Sequence, residues 1–75
     1  MSERKIRLKG LNDVNSFVQA AERCDYDVDV FYNHYIVDAK SLMGVLSLDL
    51  TQDLTVRYNH DSDKKFDKVL AQYAV

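Results

Sequence analysis

The sequence predicts a two-layer α+β domain in which three helices pack on one side of a four-stranded antiparallel sheet and leave its other side open. Three observations carry this expectation. Apolar residues recur with the period of two that marks strands or the period of about 3.6 that marks helices, in the order strand, helix, strand, strand, helix, strand, helix. Each helical segment has one apolar stripe, as a helix laid on a sheet requires. No proline interrupts any segment, and no repeat or linker divides the chain.

Residues 1–3 read as a tail, after which Lys5-Ile6-Arg7-Leu8-Lys9 alternates as a half-buried strand with Ile6 and Leu8 inward. Gly10 breaks it. Asn12 or Asp13 can then cap a helix whose apolar positions Val14, Phe17, Val18, Ala21 and Cys24 share one face, ending near Asp25. Val28, Val30 and Tyr32 alternate with Asp27, Asp29 and Phe31 in strand period. Asn33-His34 reads as a two-residue turn, because Asn tolerates positive φ, and residues 35–39 return as its partner strand. Ser41 stands before a short apolar run and is read as the N-cap of a helix over about residues 41–50. On that helix Leu42, Val45 and Leu46 make the buried stripe and Met43 points away. Thr51-Gln52-Asp53 turns into a strand over residues 54–58. Asn59-His60 closes it, and Asp61 or Ser62 caps a last helix burying Phe66, Val69, Leu70 and Tyr73.

Seventy-five residues make one domain, which buries only about 60% of its unfolded surface. No apolar run approaches the roughly 18 residues that would span a bilayer, and Ser-Glu-Arg-Lys after Met1 is unlike a signal peptide, so a cytoplasmic protein is expected. A formal charge of −2 offers no attraction to nucleic acid or anionic lipid. The single cysteine, Cys24, excludes an internal disulfide and sits at a core position. Asp25, Asp27 and Asp29 open like a calcium loop, but Val30 stands where that loop needs glycine and Ile36 where it needs glutamate. Asp61 and Asp63 beside His60 are the acids a helix start favours. No metal or other cofactor is expected.

Lys40-Ser41-Leu42-Met43-Gly44-Val45, followed by Ser47-Leu48, resembles the second-helix signature of the HPr phosphocarrier family of the sugar phosphotransferase system. The resemblance runs back through Tyr32 to Val18-Gln19-Ala20-Ala21 without a gap, and forward to the last helix with a shorter loop near Asp53. It makes residues 1–75 a single HPr-like domain and implies the strand order 1-4-2-3. In that order Arg7, Arg57 and Asp29 would neighbour one another on the open face, as surface charges.

HPr proteins carry phosphate on a histidine at the start of the first helix, with an arginine two residues on. Counting back from Val18-Gln19 places Gly10 at the histidine position and Asn12 at the arginine position. A shift by one residue offers Leu11 and Asp13, which serve no better, and neither His34 nor His60 is expected near that helix end. Ser41 matches the serine that a dedicated HPr kinase phosphorylates in one branch of the family, beside the plainer reading that it merely caps its helix. The resemblance is therefore to the catabolite-repression paralogues, which lack the carrier histidine and bind a transcriptional regulator when phosphorylated on serine, although these usually keep the arginine. The sequence reading is a non-catalytic regulatory domain, monomer or weak dimer. Its protein partner, an HPr kinase or a regulator, would dock on Leu42, Met43 and Leu46 around Ser41. Two rivals stand beside it: a true phosphocarrier with an unusual acceptor, and an RNA-binding α+β domain using Phe31 and Ile36, which lacks the basic-aromatic signature of that class.

Overall fold

The computed structural model describes residues 2–59 and 63–75. In chain order its elements are β1 (Ser2–Ile6), α1 (Leu11–Glu22), β2 (Val28–Tyr32), β3 (Tyr35–Asp38), α2 (Leu42–Leu46), β4 (Leu54–Tyr58) and α3 (Lys64–Tyr73). The strands form one antiparallel sheet in the order β1-β4-β2-β3, the order the resemblance implied. Ile6, Val28, Val30, Leu54, Val56 and Tyr58 turn one face of the sheet toward the helices, which answer with Val14, Phe17, Ala21, Val45, Phe66 and Leu70, all buried. Among the described residues, no helix is long and apolar enough to cross a membrane.

The first strand lies earlier than its alternation suggested. Ser2 and Glu3, read as tail, pair with Tyr58 and Arg57, and the strand ends at Ile6. Its charged residues hide the periodicity because β1 is an edge strand, where Arg4 reaches Asp67 at the rim (4.0 Å). Leu8 is buried as expected, yet from beyond the strand. The C-terminal residues cover this edge: Arg7 N donates to Tyr73 O (2.9 Å), Val75 N to Lys5 O (3.3 Å), and Ala74 bridges Ile6.

Helix lengths also differ. α1 stops at Glu22 and leaves Cys24 buried just past it. α2 has five residues rather than the ten of residues 41–50. Ser47 closes its last turn, donating its hydroxyl to Gly44 O (2.6 Å), and Asp49 then starts a turn by accepting from Thr51 N (3.1 Å) and Thr51 Oγ1 (2.6 Å). These bonds hold Asp49 below the usual carboxylate range. The cap of α3 is Asp63, whose Oδ1 accepts from Phe66 N (3.0 Å), in place of Asp61 or Ser62; those two, with His60, lie outside the described residues. On α3, Phe66 and Leu70 are buried, while Val69 and Tyr73 are only partly so.

Two tyrosines tie α3 to the rest. Tyr26 donates to Asp63 Oδ2 (2.8 Å) and Tyr58 to Asp67 Oδ1 (2.7 Å), and the Tyr58 ring meets Phe66 edge-on at 5.3 Å. Burial, and then the carboxylate acceptor, pushes Tyr58 up to about 12.

The open face carries two rows of side chains across the strands. Glu3, Arg57, Asp29 and Asp38 make one; Lys5, Thr55, Phe31 and Ile36 make the other. Arg57 bonds Glu3 (3.1 Å) and lies over the Phe31 ring at 4.6 Å. Arg7 does not join them, because it follows the end of β1 and pairs with Asp53 before β4.

Candidate functional site

The N-termini of α1 and α2 are the two places to which the sequence assigned chemistry. At α1 the half-in residue is Gly10, extended at φ −176°, and no side chain caps the helix. Asn12 and Asp13, the caps expected from sequence, both lie inside the first turn. Asp13 instead reaches back from there, its Oδ2 accepting from Lys9 N (3.0 Å). A carboxylate thus stands within the first turn of this helix, where it complements the dipole and would repel a phosphoryl group. A Cβ built on Gly10 meets nothing within 4 Å, and its φ suits any residue. Packing therefore does not forbid a histidine there. Leu11 follows as an exposed apolar residue that sequence reasoning considered only as a failed phosphate acceptor.

At α2 the expected cap is present. Ser41 is extended and its Oγ accepts from Gly44 N (3.1 Å), while Val45 N bonds Ser41 O (3.0 Å). The approach is fixed from several sides. Asp38 Oδ1 accepts from Lys40 N (2.9 Å), Asp38 O accepts from Ser41 N (3.0 Å), and Lys40 Nζ donates to Cys24 O (3.0 Å) past the end of α1. Gly44 serves a close approach: a Cβ there would stand 3.2 Å from Ser41 Oγ and 3.2 Å from Val37 Cβ on β3. Sequence reading missed that role, although a glycine inside so short a helix was a signal of it.

Val45 alone of the α2 residues is buried. Met43 is 81% exposed, as expected. Leu46 was expected in the core and is 41% exposed, with Leu42 similar, because a helix that ends at Leu46 has too few turns to bury a stripe. Leu42, Met43 and Leu46 therefore all present apolar surface beside an exposed Ser41 hydroxyl.

The remaining candidates fall elsewhere. His34 is in the β2–β3 turn, where Asn33 takes a φ of 55° as expected. Cys24 is buried, and desolvation pushes its thiol up, which disfavours a thiolate nucleophile. Among the described residues no three His, Cys, Asp or Glu side chains are placed to hold a metal ion. Phe31 and Ile36 do share the open face, but there the carboxylates of Glu3, Asp29 and Asp38 offset the cations Lys5 and Arg57, so the face offers no net attraction to nucleic-acid phosphates.

An open-faced sandwich with this strand order, and a capped short helix following its β2–β3 hairpin, is the architecture of the HPr proteins. The family described as PTS HPr component phosphorylation site matches residues 13–71, and the chain belongs to it. That match begins just past Gly10 and Asn12, so membership rests on the rest of the chain. A crystal structure of HPr-C-His from Thermoanaerobacter tengcongensis is similar at 26% identity, over 96% of this chain and 89% of that one, with a TM-score of 0.77. The phosphocarrier protein HPr from Bacillus anthracis strain Ames shares the fold at 22% identity, over 99% of this chain and 96% of that one, with a TM-score of 0.73.

Proposed function

We propose that this chain is a non-catalytic, protein-binding member of the HPr family that docks through the exposed face of α2 and is switched at Ser41. One observation carries the reading: the α1 start offers a glycine and a carboxylate, while the α2 start keeps an exposed serine beside Met43. With Gly10 and Asn12 in these places, the first helix lacks both the nucleophile and the cation with which HPr proteins accept and steady a phosphoryl group. A phosphate on Ser41 would add about two charges at a helix start and set strong acceptors next to an apolar patch, changing what the patch binds.

Amide shifts recorded as the chain is titrated with an HPr kinase test the docking surface. The reading expects changes at Ser41, Leu42, Met43 and Leu46 and phosphate on Ser41 when ATP is added. Changes confined to Leu11 and Asn12, or none at all, would refute it. The fold shared with a phosphocarrier favours one rival, a carrier that uses an unusual acceptor. Phosphoryl transfer from the first enzyme of the sugar phosphotransferase system separates the two.

A further inference from the structure

The two edges of the sheet are protected unequally. β1 presents Ser2-Glu3-Arg4-Lys5, a charged run that discourages strand pairing, and the C-terminal residues cover its end. β3 presents Tyr35-Ile36-Val37, with no charge until Asp38, and no described strand pairs with its outer side. Tyr35 is 69% exposed and Ile36 58%, so neither is shielded by another element. An uncharged apolar edge of this kind is a template for another strand.

The pairing rules fix which strand fits. Ala39 N bonds Val28 O, so by antiparallel alternation Ala39, Val37 and Tyr35 direct their backbone groups toward β2, while Ile36 and Asp38 direct theirs outward. A second copy related by a two-fold axis must place same-face residues opposite one another. With Ile36 on the axis, the two Ile36 residues exchange both backbone bonds, Tyr35 stands opposite Val37, and His34 opposite Asp38. Every pair in this register is matched: apolar with apolar on both faces, and an imidazole N–H with a carboxylate at each end. The register centred on Val37 is poorer. It sets Ile36 against Asp38 and calls on the Asp38 carbonyl, which already accepts from Ser41 N.

We propose that a second copy of this chain pairs antiparallel along β3, with Ile36 on the two-fold axis, joining two sheets into one of eight strands. On the open face the two Ile36 side chains continue the row that runs through Phe31. A four-residue edge buries less than a standard interface, so the dimer forms at millimolar and dissociates at micromolar concentration.

Sedimentation equilibrium and amide shifts of the full chain, recorded across that dilution, test the proposal. Expected are a monomer–dimer equilibrium and shifts concentrated at Ile36 and Asp38. Ile36→Lys should weaken dimerisation by at least about tenfold, since two like charges then meet on the axis, and it leaves the folded monomer intact because the side chain is exposed. His34→Lys should tighten the dimer, and that gain should vanish when Asp38→Asn is added; asparagine still accepts from Lys40 N, so the turn is kept. A chain that stays monomeric at millimolar concentration overturns the proposal. So does a dimer indifferent to Ile36→Lys, or one whose shifts map to α2 or β1. A gain from His34→Lys that survives Asp38→Asn refutes the register.

Discussion

Replacing Ser41 by alanine probes the cap on which α2 depends. The substitution deletes the acceptor of the 3.1 Å bond from Gly44 N and leaves that amide without a side-chain partner. Cap losses of this type cost about 0.5 to 2 kcal/mol, and an exposed Ser41 allows water partly to replace the oxygen, which puts the cost near about 1 kcal/mol. A five-residue helix cannot spread that loss over further turns, and a domain of this size has a total stability of only about 4 to 11 kcal/mol. With a urea slope of about 1 kcal/mol/M, the midpoint should fall by about 1 M. Ser41→Asp should stay close to the parent, because a carboxylate oxygen also caps. Urea melts of the three proteins decide the matter. A midpoint for Ser41→Ala equal to that of the parent, or an equal loss for Ser41→Asp, would refute the assignment of the bond as a stabilising cap.

Two further outcomes follow from burial. Met43→Ala should change the urea midpoint little while weakening kinase binding, whereas Val45→Ala, at a site with 0% exposure, should cost roughly 1.5 to 3 kcal/mol; equal destabilisation by the two would place Met43 in the core. Leu46→Ala should resemble Met43→Ala more than Val45→Ala, given its 41% exposure. Tyr58 keeps its proton up to about 12, against the usual value near 10, so between those values the folded state holds a proton that the unfolded chain releases. Its contribution is complete below about pH 10 and is lost as pH rises through about 12, on the order of 2 kcal/mol. Tyr58→Phe should flatten alkaline melts over that interval, and an unchanged pH dependence would contradict the role given to burial.

Where one face of an element met the core and the other met water, the chain spelled out its structure. β4 and the buried stripe of α1 were legible for that reason, as was the Asn33-His34 turn, whose chemistry is local. Legibility failed where tertiary contacts set the boundary. β1 gains Ser2 and Glu3 by pairing with β4, which no periodicity within a charged run reveals. α2 is cut short by Ser47 and Asp49 hydrogen bonds that compete with the helix, and that moved Leu46 from core to surface. Strand order came from resemblance rather than pattern. The Ser41 cap was readable because a hydroxyl before an apolar run has a mechanism of its own, whereas the back-bond from Lys9 N to Asp13 was hidden by a helix that starts at Leu11, ahead of both expected caps.

Phosphoryl transfer tests the central claim most directly. The chain would be incubated with phosphoenolpyruvate and the first enzyme of the sugar phosphotransferase system and its intact mass recorded, beside a Gly10→His, Asn12→Arg variant, which the open space around Gly10 accommodates. The account predicts no acid-labile phosphate on the parent chain, because neither Gly10 nor Asn12 can hold one. Stoichiometric acid-labile phosphate on the parent, at His34, His60 or any other residue, would contradict the account and make this protein a carrier.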